Sequence, residues 1–330
     1  MHETTGQALS FFSVIVPVYN GADTLRECLS ALTGQDYPGG QFEVIVVNDG
    51  SVDASAEIAA GYDVRLIDLG ANRGRIVARN TGAEAARFDT LVFNDAGVIP
   101  GPQLLARVNG RGYQPLMPEV DADDGITWGY ARLFYLLRSR WYAPYYPASP
   151  ESGEYLITPE NFNAVPKGTG CFVCDRSLWL RSQPASFDRS TSDDTRILKK
   201  IVEERPILRT PSIRVRYLQR TAAGRVLPHV FQRGPLFADF YLRPGGRYRM
   251  AYRAAWITLG FFLLGALSSA GLLLFLCGML FAGLLAAAFY LGRRWTDIPL
   301  VCLYLPPLAL AFGWGILKWQ VAEWRKQPRQ

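Results

Sequence analysis

The chain has 330 residues, 49% hydrophobic and 13% aromatic, and a net charge of +6. That length leaves ample chain for a core and fits one α/β catalytic domain plus an appendage. The positive charge would admit a nucleic-acid partner, but the apolar, aromatic carboxyl-terminal third points to a membrane surface instead, so nucleic-acid binding is excluded.

Residues 1–10 carry His2 and Glu3 and lack a basic start followed by an apolar stretch, so no signal peptide is read there. The amino-terminal domain is expected to stay where it is made. Apolar strands are expected at 12–18, 42–47, 64–69 and 91–93. Three of them run into polar clusters: Pro17-Val18-Tyr19-Asn20, Asn48-Asp49-Gly50-Ser51-Val52-Asp53 and Asn94-Asp95-Ala96-Gly97. Between the strands, Leu25, Cys28, Leu29 and Leu32 fall at helical spacing over 24–32, with Asp23 as the expected cap. Further helices are expected from Asp53 through 60 and over 75–86. This β-α-β-α order implies parallel strands with helices on both faces. In open α/β sheets ligands bind beyond the carboxyl ends of the strands, where Asp49 and Asp95 stand.

From 110 to 166 the pattern loosens. Residues 128–142 mix aromatics with Arg132, Arg138 and Arg140, which suits an interfacial helix, an acceptor-side wall, or a surface helix packing its rings on the core. Residues 145–163 read as a loop, and 168–180 as a glycine-rich turn, a short strand and a helix start. Cys171-Phe172-Val173-Cys174 lies in that strand. Two Cys and two distant His make no tetrahedral zinc set, and the five Cys lack the spacing of a secreted disulfide scaffold, so reduced thiols and a cytosolic catalytic face are expected. Residues 190–195 open a helix through 204, 213–218 form a last strand, and 229–242 form an amphipathic helix with Phe231, Phe237, Phe240 and Tyr241 on its apolar side.

The composition then changes. No charged residue occurs from 254 to 292, and a hydrocarbon core takes only about 20 apolar residues to cross, so two spans are expected with their turn at 268–271. A third apolar run, 298–319, contains Pro299, Pro306 and Pro307 and reads as a kinked span or a re-entrant segment. Arg243, Arg247, Arg249 and Arg253 put the start of the first span in the cytosol, and Arg293 and Arg294 agree with a returned hairpin. A complete third span would put Lys318, Arg325 and Lys326 on the far side, against the rule, so the third run stays open between crossing and not crossing.

The motifs at 13–20, 46–53, 72–74, 78–82 and 94–97, together with Ser192-Asp193-Asp194-Thr195, resemble the family 2 glycosyltransferases in order and kind across roughly the first two thirds of the chain. The resemblance implies an α/β fold of the GT-A nucleotide-diphospho-sugar type, with a mostly parallel sheet and helices on both faces, followed by transmembrane helices. The expected division is a cytosolic domain over 1–227, an interfacial helix and linker over 228–253, two or three spans within 254–319, and a basic tail over 320–330. The implied location is the inner (cytoplasmic) membrane.

By the same resemblance Pro17, Tyr19, Asn20 and Asp49 bind the nucleotide, Arg79 or Asn80 lines the donor pocket, and Asp193-Asp194 aligns with the family's carboxylate pair. Asp194 is then the base of an inverting displacement. Adjacent carboxylates oppose each other's ionisation, which suits a base working near neutrality. Gly97 stands where the family places the last Asp of its Asp-x-Asp motif, leaving Asp95 as the one acid there for Mg or Mn. Arg220, Arg225 and Arg233 are the expected alternative for neutralising the diphosphate, and Arg75 is expected to be a solvated helix charge. The implied partners are a nucleotide-diphospho-sugar and a lipid or lipid-linked glycan acceptor. A donor-binding pseudoenzyme or assembly subunit is the alternative. A processive synthase ranks lowest, because Gln219-Arg220-Thr221-Ala222-Ala223 does not reproduce that group's Gln-x-x-Arg-Trp signature.

Overall fold

Four strands rich in Val, Ile and Phe form the first half of the sheet in the computed structural model, which describes residues 10–122, 127–143, 145, 153–184, 193–218 and 223–326. They are β1 (Phe12–Val18), β2 (Phe42–Asn48), β3 (Arg65–Asp68) and β4 (Thr90–Asn94), all parallel, in the order β3-β2-β1-β4. Strands this continuously apolar need cover on both faces. Val14, Val16 and Val18 share one cluster with Leu25, Cys28, Leu29 and Leu32 of α1 (Ala22–Thr33). On the other face lies α3 (Arg75–Ala85). A Cβ added to its Gly82 would come within 2.5 Å of Ile15 and 3.3 Å of Val47. The short α2 (Ser55–Ala60) follows β2.

Beyond β4 the sheet is mixed. The chain adds β5 (Val98–Pro100), α4 (Leu104–Asn109), β6 (Leu116–Ala122), α5 (Gly129–Trp141), β7 (Tyr155–Ile157), β8 (Cys171–Asp175), α6 (Arg176–Arg181), α7 (Asp193–Glu204) and β9 (Ile207–Tyr217). Among the described residues the path is β3-β2-β1-β4-β8-β6-β9-β5, with β7 on β9. β8 runs antiparallel to both β4 and β6, while β6 and β9 are parallel. Parallel pairing thus holds throughout the first four strands and between β6 and β9, and the other pairings are antiparallel. Cys171 and Cys174 are fully buried free thiols in β8, as a core strand requires.

Two further expectations are corrected. α1 is capped at Gly21 with no side-chain bond, so Asp23 is not its cap; the first amides of that turn are taken from the neighbouring loop, Gly21 N donating to Ser55 Oγ and Ala22 N to Asp53 Oδ2. The stretch read as a loop over 145–163 contains β7, paired to β9.

The chain divides into two units. One comprises Met1–Asp123, Pro144–Arg189 and Asp193–Gln219; the other comprises Asp124–Ala143, Ser190–Ser192 and Arg220–Gln330. The second contains α5, α8 (Ala223–Tyr241), α9 (Arg249–Ser268), α10 (Ala270–Leu291) and α11 (Asp297–Lys326). Ser269 alone, in extended conformation, separates α9 from α10, and its side chain caps α10 by accepting from Leu272 N. The third apolar run is one helix with Pro306 and Pro307 inside it. Ala270–Leu291 and Asp297–Arg325 are long and apolar enough to cross a membrane.

Candidate active site

Within the first unit the loops after β1 and β2 tie each other down. Asn20 adopts φ 49°, a left-handed conformation that Asn tolerates better than most residues. Its N–H donates to Ser51 Oγ and its Oδ1 accepts from Val52 N. Asp53 accepts from Ser55 and Ala22. Burial pushes the Asp53 carboxyl up, but these hydrogen bonds outweigh it and hold the group below its ordinary value. Pro17 is half-buried at the end of β1, and Tyr19 stands 50% exposed at the open edge.

Asp49 does something the sequence does not announce. Its side chain is buried, and its two oxygens accept from Arg73 N (2.6 Å) and Gly74 N (3.0 Å), the amides just ahead of α3. A carboxylate at a helix amino terminus satisfies orphan donors and complements the helix dipole. Gly50 beside it has φ +68°, and a Cβ there would overlap the backbone of Ala71, so the β2 loop closes over the start of α3 only with glycine.

α3 then carries the central contact. Ile76, Ala78, Arg79, Gly82 and Ala83 are its buried residues, so Arg79 lies on the face turned inward. Its side chain is 1% exposed. One end of the guanidinium donates to Asp95 Oδ1 and the other to Asp194 Oδ1, each at 2.7 Å. Asp95 follows β4, its N–H bonded to the carbonyl of Gly170. Asp194 sits in the first turn of α7, at the head of the buried stripe Ile197, Leu198, Ile201 and Val202, and that stripe turns it toward α3. Both carboxylates keep partial exposure, 31% and 21%. Arg75, one turn before Arg79, approaches the second oxygen of Asp194 at 3.6 Å. It is therefore part of the site and not the solvated charge expected of it.

Asp95 and Asp194, two of the expected site residues, are thus joined through Arg79, and Asp49 fixes the end of the helix that supplies it. Arg79, expected to line a donor pocket, is buried between two acids. Asn80, half-buried, accepts from Trp179 Nε1 and donates to Gln183 Oε1. Arg225 and Arg233 belong to α8 in the second unit. Arg220 and the side chain of Asp193 lie outside the described residues. Sequence reasoning missed Thr169 and Gly170, whose carbonyls face Arg79 and the Asp95 amide.

A divalent cation does not fit this ligand set as a protein-held ion. Among the described residues no three His, Cys, Asp or Glu side chains gather, and one oxygen of Asp95 already accepts from Arg79. Gly97 offers no ligand. A Cβ there would meet Tyr217 at 3.6 Å and the Leu218 carbonyl at 3.9 Å, so a side chain can start at this position without a clash.

The mixed sheet, covered on both faces, is an architecture found in solved glycosyltransferases. Two solved structures share it: S. aureus TarS residues 1–349 in complex with UDP-GlcNAc (TM-score 0.51, 16% identity, 97% of this chain and 93% of that one), and the mannosyltransferase PcManGT from Pyrobaculum calidifontis in complex with GDP-Man and Mn2+ (TM-score 0.55, 18% identity, 93% and 88%). Residues 13–111 match the sequence model of glycosyl transferase family 2. Glycosyltransferase AglE of Haloferax volcanii is 41% identical over 113 residues, 32% of this chain and 37% of that protein, so the match spans little more than a third of its relative. The first unit thus contains a segment, residues 13–111, similar to glycosyl transferase family 2, and the chain shares the GT-A fold of the two solved transferases.

Proposed function

We propose that this protein transfers a sugar from a nucleotide-diphospho-sugar to a lipid or lipid-linked glycan acceptor at the cytosolic face of a membrane, inverting the anomeric centre. The observation that carries the reading is the buried Arg79 guanidinium holding Asp95 and Asp194 together at the carboxyl edge of the parallel strands. Pro17, Tyr19, Asn20 and Asp49 form the nucleotide side, with the exposed Tyr19 ring offered to a base. Asp95 marks the donor position and Asp194 the acceptor position.

Asp194 lies between two arginines, 2.7 Å from Arg79 and 3.6 Å from Arg75. It takes the proton of the acceptor hydroxyl as that oxygen attacks the anomeric carbon. The bond to the diphosphate breaks, and its electron pair leaves with the nucleotide. Arg75 is partly exposed beside Asp194 and stands ready to balance developing charge. Arg233 is the further candidate for the diphosphate. The membrane half of the reading rests on the uncharged run from 254 to 292 and on the basic residues at its ends.

The test is a binding screen of nucleotide sugars against the full chain, with and without Mg or Mn, followed by transfer to membrane lipid extracts. Binding with transfer is expected. Binding without transfer to any extract, unchanged in Asp194→Asn, would mark a donor-binding subunit, the reading that Gly97 favours. No binding of any nucleotide sugar would overturn the proposal.

A further inference from the structure

The second unit contains three long apolar helices, yet its internal contacts are not those of three crossings. α9 begins and α11 ends at one corner: Tyr252 Oη donates to Gln320 Oε1 at 2.6 Å, Arg243 lies 3.6 Å from Glu323, and the Arg243 guanidinium covers the Trp319 ring. α10 ends and α11 begins at another, where Asp297 accepts from Arg293 N and Arg294 N. Arg132 of α5 forks onto both oxygens of Asp297 at 2.9 Å. The third corner is Ser269, with α9 on one side and α10 on the other.

At about 1.5 Å per residue, α9 is about 30 Å long, α10 about 33 Å, and the stretch of α11 from Asp297 to Gln320 about 35 Å. Three sides of similar length, joined at three corners, make a triangle. α9 and α10 therefore diverge from Ser269 as the arms of a V, and α11 closes the open end. In agreement, Phe261, Leu264, Leu274, Phe275 and Phe281 on the arms are all more than half exposed.

Two observations identify which side of the triangle faces water. The Ser269 corner is uncharged, whereas the other two carry Arg243, Arg249, Arg293, Arg294 and Arg325. Secondly, α11 is packed lengthwise on α8. A Cβ on Gly315 would overlap the Phe231 carbonyl, and one on Gly234 would overlap the backbone of Phe312 and Ile316. α8 carries Arg225, His229, Arg233 and Asp239, so the middle of α11 lies against a helix that has no place at bilayer depth. On the face of α11 turned away from α8, Leu303, Leu310, Trp314 and Val321 make one exposed apolar stripe at spacings of seven, four and seven.

We propose that α11 does not cross the bilayer. It lies along the membrane surface between α8 and the lipid, while α9 and α10 dip into the bilayer from that side and return, leaving every charged end of the unit on one face. Taking the three lengths as a triangle, the apex at Ser269 reaches about 26 Å below α11, close to the ~30 Å hydrocarbon thickness. This arrangement also resolves the charge conflict of a third span, because Lys318, Arg325 and Lys326 then share the side of Arg243 to Arg253. The occupant of the apolar faces is the bilayer, so the inference rests on the membrane half of the proposed function and is independent of the transfer chemistry.

The experiment uses the full chain in sealed vesicles, with Cys277 and Cys302 replaced by Ser and a single cysteine introduced as Arg294→Cys or Arg325→Cys. A membrane-impermeant maleimide is expected to label both positions in vesicles of the same orientation and neither in the opposite one. Labelling of the two positions from opposite faces, or of Arg325→Cys from both, overturns the proposal. Spin labels give a reading that does not depend on reactivity: Leu310→Cys, midway along α11, is expected at headgroup depth and Phe281→Cys deep in the acyl region. Leu310→Cys at the bilayer centre overturns it. Transfer activity without this topology would leave the proposed function standing, whereas recovery of the chain in the soluble fraction would remove both the topology and the anchoring.

Discussion

A buried arginine between two carboxylates makes each member conditional on the others. Removing Arg79 would leave two acids facing each other over a void, and breaking a buried pair from one side typically costs about 3–5 kcal/mol. Because Asp95 and Asp194 keep partial exposure, Arg79→Ala is expected near the lower end, about 3 kcal/mol, read as a drop in the denaturation midpoint of the full chain. Gly97→Asp tests a different point. A Cβ at this position meets no clash beside Tyr217, and if protein cations neutralise the diphosphate in this chain, the variant should gain dependence on Mn in transfer assays; unchanged metal dependence would count against that view. The placement of Asp95 at a strand end and of Asp194 at a helix start was legible in the sequence, since each stands within a motif. The burial of Arg79 was not read. The signal was present: Arg79, Gly82 and Ala83 share a helical face, which turns the arginine inward and obliges it to find acids. Arg75 was misjudged for the same reason, its partner lying more than a hundred residues away.

At the scale of elements, helices and strands with their own apolar period were legible, while those stabilised by distant charges were not. β6 contains Pro118, Glu119 and Asp121, and reads locally as a loop. It is a strand because Glu119 pairs with Arg209, and Asp121 with Arg214, both from β9. The first half of β9 was hidden likewise by Pro211; the ladder absorbs it through an irregularity at Pro118/Glu119. Two predictions belong here. Gly82→Val would drive a branched side chain into Ile15 and Val47, and overpacking of this kind costs about 1–3 kcal/mol, measurable by denaturation. The core thiols give the second. Burial pushes Cys28 and Cys171 from an ordinary value of 9.0 up to about 12, so they should resist thiol reagents until the chain unfolds. A raised folded value stabilises fully below the unfolded one, so their contribution is intact below pH 9 and is lost as pH rises toward 12. Rapid labelling of Cys28 in the folded protein at pH 8 would contradict this.

Across the whole molecule, the abrupt change in composition after residue 253 marked a helical, apolar second unit without its topology, because hydropathy reports length and not direction. The excursion of the chain into that unit at α5 was also invisible, since the Arg132 and Asp297 pair that fastens it joins residues 165 positions apart. Alkaline carbonate is expected to leave the full chain in the membrane pellet; its release would tell against insertion of α9 and α10.

The central claim is that the acids bridged by Arg79 do the chemistry. Its most direct measurement is single-turnover transfer from a bound nucleotide sugar by Asp194→Asn. A lost general base costs roughly 10²–10⁴-fold in rate, so transfer should fall by that order while donor binding stays within about threefold of the parent. Transfer at the parent rate, with donor binding intact, would contradict the account.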